Sequence, residues 1–72
     1  MGMDIFSRRI KELREEKNLS MRQLAEEIGI SHVAISYYES SKREPTLTVL
    51  QAYAKYFNVT VDYLIGLSDN RR

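Results

Sequence analysis

The chain has 72 residues, a formal net charge of +1, one histidine and no cysteine. A chain of this length has room for one domain with a modest core. The lack of cysteine excludes a disulfide framework, a thiolate nucleophile and a cysteine-ligated metal site, and the single histidine excludes a cluster of histidine ligands. No apolar run approaches the ~18 residues of a membrane span, and the N-terminus lacks a signal-peptide pattern, so neither is expected.

Apolar residues recur at helical spacing along the whole chain. This period predicts an all-α fold of five short helices, at residues 5–17, 21–28, 32–40, 47–57 and 61–66. Capping side chains precede the second to fifth helices: Ser20, which forms a capping box with Gln23, and then Ser31, Thr46 and Thr60. Because no run alternates apolar and polar residues for long, no sheet is expected.

The fourth helix is expected to bury an apolar stripe of Leu47, Leu50, Ala54 and Phe57. Core and rim positions are expected for Tyr53, Tyr56 and Tyr63. Leu67 and Tyr63, with exposed parts of the last two helices, are one option for a dimer patch.

The stretch from Met21 to Ser40 is the most informative part of the chain. Its two short helices meet at Gly29-Ile30-Ser31, a sequence that is typical of the turn in a tight helix–turn–helix. The outward face of the third helix then carries hydroxyls, an imidazole and a valine, where a surface helix usually carries lysine and glutamate. Such groups suit the base edges of the DNA major groove, and basic residues flank them, as phosphate contacts should.

Six segments carry a resemblance to a known family: Arg9-Ile10-Lys11-Glu12-Leu13-Arg14, Leu19-Ser20-Met21-Arg22-Gln23-Leu24-Ala25, Gly29-Ile30-Ser31, Ile35-Ser36-Tyr37-Tyr38-Glu39, Lys42-Arg43-Glu44-Pro45-Thr46 and Val61-Asp62-Tyr63-Leu64-Ile65-Gly66. Through them residues 6–66 resemble the helix-turn-helix family of phage repressors and Cro proteins, the xenobiotic-response-element type. The resemblance implies a compact, lambda-repressor-like five-helix domain that docks its third helix in the major groove as a dimer. It also implies a bacterial or phage-encoded protein of the cytoplasm, associated with the nucleoid.

Site residues follow from this resemblance, position by position. Base contacts, or nearby backbone contacts, are expected from Ser31, His32, Val33, Ser36 and Tyr37. Phosphate contacts are expected from Met21, Arg22 and Gln23 at the start of the second helix, and from Ser40, Lys42 and Arg43 in the following loop. A structural pair between the first and third helices is expected from Arg14 and Glu39.

Two positions depart from the family pattern. Ser40-Ser41 stand where the family often has Asn-Gly, so the path of this loop is in question. Tyr37 stands where the family often has a long polar or basic residue, and a tyrosine there has three roles open to it: contact with a base, contact with a phosphate, or packing alone.

One domain is expected to cover residues 4–67, with the helix–turn–helix at about 21–40. The doubled methionine marks residues 1–3 as a start or a cloning remnant, and residues 68–72 are interpreted as a tail or linker stub. An enzyme is not expected, because adjacent acids on a helix point about 100° apart and the one histidine lies on a helix surface. No cofactor, metal or membrane partner is expected.

The predicted function is sequence-specific binding of double-stranded DNA by a transcriptional regulator, most simply a repressor that binds a palindromic operator as a homodimer. Two alternatives stay open. In the first, the chain is the N-terminal DNA-binding part of a longer sensor repressor. In the second, it is a protein-interaction or antitoxin module on the same fold. An inducer or partner protein is also left open.

Overall fold

The computed structural model describes the backbone of residues 2–72 and the side chains of residues 4–72. All regular structure in this range is helical, in five elements: α1 (Gly2–Glu16), α2 (Met21–Ile28), α3 (His32–Glu39), α4 (Leu47–Phe57) and α5 (Val61–Ile65). The predicted all-α, five-helix architecture is confirmed, and α1 begins at Gly2 rather than at residue 5. The interpretation of residues 1–3 as a start or cloning remnant concerns residues whose side chains lie outside the described part of the chain.

Side-chain caps fix where the short helices begin. Ser20 accepts from the Gln23 backbone N–H, and the Gln23 side chain accepts from the Ser20 N–H, which completes the capping box of α2. The starts of α3, α4 and α5 are capped in the same way by Ser31, Thr46 and Thr60. Each cap contributes about 1 kcal/mol, which matters because helices this short are marginal in isolation.

The core lies where all five helices converge. It consists of Phe6, Ile10, Leu13, Leu24, Ile35, Tyr38, Tyr53, Tyr63 and Leu64. At its centre the Phe6 ring meets the Tyr53 ring edge-on, with the ring centroids 5.7 Å apart, and Tyr38 meets Phe6 in the same way at 6.2 Å. Edge-to-face pairs of this kind stabilise a core beyond the area that they bury. This aromatic centre joins α1, α3 and α4.

One expectation about apolar residues is wrong. Leu47 is 65% exposed instead of buried, because it is the first residue of α4 and lies beyond the core that the rest of the helix covers. Tyr63 is buried, in agreement with its expected core or rim position, and Leu67 is 75% exposed, so of the two residues offered as a dimer patch only Leu67 lies at the surface. The expected burial of Tyr53 is confirmed.

Residues 68–72 form no helix but lie against α1. The Arg9 guanidinium donates to the Ser68 carbonyl oxygen at 2.8 Å and to the Asp69 carboxylate at 2.9 Å. It also donates to the Tyr63 carbonyl oxygen at the end of α5. One half-buried arginine of α1 therefore holds both α5 and the start of the C-terminal segment.

A second arginine attaches the far end of this segment. Arg71 donates from both terminal nitrogens to the Glu16 carboxylate, at 2.9 Å and 2.7 Å, and its carbonyl oxygen accepts from the Thr60 N–H at 2.8 Å. The guanidinium groups of Arg9 and Arg71 lie 4.2 Å and 5.6 Å from the Tyr63 ring centroid. We name residues 68–72, with these contacts, the C-terminal strap.

None of the helices in residues 2–72 is long and apolar enough to cross a membrane. The longest, α1, has 15 residues and carries charged side chains along its length.

Candidate nucleic-acid interface

The turn between α2 and α3 sets the direction of α3. Gly29 ends α2 in the left-handed region at φ 80°, and its N–H donates to the Ala25 carbonyl oxygen at 3.0 Å. A residue with a Cβ resists this conformation, so glycine suits the position. Two residues later Ser31 caps α3 by accepting from the Ala34 N–H at 3.1 Å. The sharp reversal therefore follows from a glycine and a serine at fixed spacing.

Burial of one face of α3 exposes the other. Ile35 and Tyr38 are buried in the core, whereas Val33, Ser36 and Tyr37 point toward the other side of the helix, and His32 lies at the edge between the two sides. Val33 is 49% exposed and Tyr37 39% exposed, whereas His32 and Ser36 are half-buried. The structure thus brings the predicted base-contact residues onto one surface. We name this surface, formed by Ser31, His32, Val33, Ser36 and Tyr37, the α3 face.

The predicted phosphate-contact residues at the start of α2 differ in their exposure and in the hydrogen-bond donors that they leave free for a ligand. Arg22 is exposed, and Met21 is half-buried and packs against the core. The side-chain oxygen Oε1 of Gln23 accepts from the Ser20 N–H in the capping box, which leaves the side-chain NH₂ group of Gln23 as a donor. The N–H groups of Met21 and Arg22 belong to the first turn of α2, where backbone donors have no partner within the helix. Together with the positive end of the helix dipole, such donors favour a phosphate.

Arg22 and the beginning of α3 face one cleft. The cleft has a volume of about 390 Å³ and is lined by Arg22, Ala25, Glu26, Gly29, Ile30, Ser31 and His32. A residue predicted to contact phosphate and two predicted to contact base edges thus share one concave surface.

The loop after α3 carries Ser40, Lys42 and Arg43. Ser40 donates its hydroxyl to the Ser36 carbonyl oxygen at 2.8 Å, so this hydroxyl closes the end of α3. Lys42 and Arg43 are both exposed, and within the described residues neither forms an ion pair. The Arg43 guanidinium lies over the Tyr37 ring, 4.9 Å from its centroid. The structure therefore places two available cations beside the α3 face.

Ser41 takes the left-handed conformation, at φ 62°, where the family often has glycine. Its hydroxyl donates to the Ser7 hydroxyl at 2.8 Å, and Ser7 donates in turn to the Tyr38 carbonyl oxygen. Ser7 is buried in α1 and was not singled out from the sequence. One signal pointed to it: Ser7 precedes Ile10 and Arg14 at helical spacing, on the side of α1 that faces α3.

Arg14 and Glu39 form a bidentate pair between α1 and the end of α3. The Arg14 Nε and Nη2 atoms donate to the Glu39 carboxylate at 2.8 Å and 2.9 Å, and Nη1 donates to the Leu19 carbonyl oxygen at 2.7 Å. The Glu39 side chain is only 3% exposed. The hydrogen bond that Arg14 donates to Glu39 raises the pKa of Arg14, against the opposing effect of burial. The pair therefore fixes the end of α3 to α1.

The chain is similar to known transcriptional regulators. The family described as Helix-turn-helix matches residues 10–64, which include α2, the turn and α3. The chain is 38% identical over 66 residues to the HTH-type transcriptional regulator YobD of Bacillus subtilis, a match that covers 92% of this chain and 59% of YobD. It is 42% identical over 61 residues to the HTH-type transcriptional activator BcrR of Enterococcus faecalis, which covers 85% of this chain and 30% of BcrR.

The chain is also similar to a phage protein. The transcriptional repressor RstR of the cryptic phage CTXphi, from Vibrio cholerae, is 29% identical over 65 residues, which are 90% of this chain and 59% of RstR. This chain therefore spans only part of the length of each of these relatives. No solved structure matches the chain significantly. The family match extends from α1 to α5, and the chain belongs to the helix-turn-helix family of DNA-binding transcriptional regulators, of the phage-repressor and Cro type.

Proposed function

We propose that this domain binds double-stranded DNA sequence-specifically, with α3 in the major groove, as part of a transcriptional regulator. One observation carries the proposal: the exposed α3 face presents neutral donors, acceptors and a valine, with unpaired cations beside it. Serine and histidine read base edges by hydrogen bonds, and the methyl groups of Val33 match a thymine methyl. Arg22, Lys42 and Arg43 attract the phosphates on either side and hold the helix in register.

The binding unit that we propose is a homodimer on a palindromic operator, with half-sites about one helical turn apart. Of the two directions of regulation, we propose repression, because occupation of a promoter requires only DNA binding, whereas activation requires a further surface. The relatives include one named as an activator and one named as a repressor, so family membership leaves this choice to experiment. The proposed place of action is the nucleoid in the cytoplasm.

The experiment is selection of binding sites from a random library of double-stranded DNA, at near-physiological salt. We expect an enriched motif made of two inverted half-sites. A single enriched half-site contradicts the dimer but retains sequence-specific binding, and assigns the dimer contacts to a longer protein. The absence of any motif overturns the proposal and favours a protein-interaction or antitoxin role.

A matched pair of variants locates the binding surface. Lys42 lies beside the α3 face, whereas Lys55 lies on α4, in a groove with Glu27 and Tyr56. Lys42→Ala and Lys55→Ala each remove one exposed ammonium group. We expect only Lys42→Ala to weaken binding to the selected motif. Equal weakening by both variants means that binding depends on total charge and not on the α3 face.

A further inference from the structure

Tyr37 and Arg43 form one unit at the end of the α3 face. The Arg43 guanidinium carbon lies 4.9 Å from the centroid of the Tyr37 ring, within the range of a cation–π contact. No carboxylate in the described residues forms an ion pair with Arg43. The ring is therefore the group that restrains this guanidinium, whose N–H edges stay available to an acceptor.

The backbone that carries Arg43 is already held in place. The Lys42 N–H donates to the Tyr37 carbonyl oxygen at 2.9 Å, and Ser41 is bonded to Ser7 of α1. Only the side chain of Arg43 is then left to be ordered before it can bind a ligand. An arginine side chain that is ordered in advance loses less conformational entropy on binding.

The position of Tyr37 argues against direct base reading. In helix–turn–helix complexes the first residues of the recognition helix contact base edges, and in α3 these are His32 and Val33. Tyr37 lies in the second half of α3, beside the basic loop. Its ring also carries the Arg43 guanidinium, which is better suited to a phosphate than a phenol is.

We propose that Tyr37 is a positioning residue for a DNA phosphate contact: its ring holds the Arg43 guanidinium ready for the backbone beside the half-site. This inference rests on the proposed DNA binding and replaces the expected base contact of Tyr37. Its effect on affinity is modest and independent of sequence. Loss of an exposed cation–π contact corresponds to about a two- to fivefold change in an equilibrium constant.

The stack itself is tested first, without DNA. Protons of Arg43 that lie over an aromatic ring are expected to show ring-current-shifted NMR signals in the free domain. Tyr37→Leu is expected to abolish this shift, and Tyr37→Phe, which retains the ring, is expected to keep it. Absence of the shift in the wild-type domain overturns the inference, whatever the domain does with DNA.

The second test measures binding to the selected motif. Tyr37→Leu is expected to weaken binding about two- to fivefold, and Tyr37→Phe to weaken it less. In an Arg43→Ala background, Tyr37→Leu is expected to cause little further loss, because the group that the ring positions is gone. Additive losses overturn the inference, as does a changed base preference at one position in Tyr37→Phe.

Tyr56 provides a matched control. Its ring also carries a cation, with the Lys17 ammonium 5.4 Å from the ring centroid, but it lies on α4 in the groove with Glu27. Tyr56→Leu is expected to leave affinity unchanged, and a loss equal to that of Tyr37→Leu overturns the inference. If the wild-type domain selects no DNA motif, the proposed function fails, and the NMR test then shows separately whether the stack exists.

Discussion

The Ser41 hydroxyl donates a hydrogen bond to the hydroxyl of Ser7, 34 residues earlier in the chain, at 2.8 Å. Ser41 is also one of the few residues other than glycine with a positive φ. The left-handed conformation costs such a residue roughly 1–2 kcal/mol, and a hydrogen bond returns about 1 kcal/mol. The bond thus offsets much of the strain, and a serine takes the loop path that the family often gives to glycine.

Substitution of Ser41 separates these two contributions. Ser41→Ala keeps the strain and loses the bond, so we expect it to lower the free energy of unfolding by about 1 kcal/mol. Ser41→Gly loses both, and we expect its stability to lie above that of Ser41→Ala and close to that of the wild type. Urea denaturation measures both variants. If Ser41→Gly is no more stable than Ser41→Ala, the left-handed conformation of residue 41 does not lower the free energy of unfolding.

Glu39→Ala is expected to destabilise the domain by about 3–5 kcal/mol, because it leaves the Arg14 guanidinium in a largely buried site without its carboxylate. Thermal or urea denaturation measures the loss. Glu12 is exposed on α1, and Glu12→Ala is the control, expected to stay within about 0.5 kcal/mol of the wild type. A similarly small loss for Glu39→Ala contradicts the structural role of the pair.

Tyr53→Phe is expected to stabilise the domain by about 1 kcal/mol. The Tyr53 hydroxyl is buried and has no hydrogen-bond partner among the described residues, and burial raises its pKa. Removal of the hydroxyl thus removes an unsatisfied polar group and keeps the ring contacts with Phe6. The control is Tyr63→Phe, whose hydroxyl accepts from Arg71 at 3.3 Å, and which is expected to be neutral or destabilising. Destabilisation by Tyr53→Phe contradicts the prediction.

Acid is expected to break the ion pair between Arg71 and Glu16, which attaches the far end of the C-terminal strap to α1. The hydrogen bonds from Arg71 lower the pKa of Glu16 below its ordinary value of 4.5. As pH falls, the Glu16 carboxylate is therefore protonated at a higher pH in the unfolded chain than in the folded domain. Its contribution to stability is present above about pH 4.5 and is lost as pH falls through the lower, folded-state pKa. Urea denaturation of the wild type and of Glu16→Gln should differ at neutral pH and converge in acid. A difference that does not change with pH contradicts the ion pair.

Lys42→Ala is expected to weaken binding to all DNA sequences and to lower the slope of log K against log salt by about one, since it removes one proposed phosphate contact. His32→Ala is expected to change base preference at one position and to leave the salt slope unaltered. Binding titrations over a range of salt, with repeated motif selection, separate the two effects. An unaltered motif for His32→Ala contradicts base reading by His32.

Local patterns in the sequence were sufficient to predict the helices and the turn. Helical periodicity, the serine and threonine caps and Gly29 each act over a few residues, so their effects are visible without a fold. The pair of Arg14 and Glu39 was expected only from the family resemblance, because their separation of 25 residues has no local signature.

The remaining features depend on contacts between distant side chains. The bond between Ser7 and Ser41, the Arg43 stack and the strap become visible only when the helices are packed. Leu47 shows what residue spacing alone fails to predict. It fits the apolar stripe of α4 by spacing, but spacing does not show how far along a helix the core extends.

The C-terminal strap has a consequence for synthesis of the chain. Arg71 and Glu16 are separated by 55 residues, so their bonds close a loop that includes α2 to α5. A ribosome releases α1 before α2 to α5 and Arg71 after them, and closing this loop carries an entropic cost that grows slowly with the length of the loop. The Glu16 carboxylate therefore lacks its Arg71 partner until the whole stretch from α2 to Arg71 has left the ribosome.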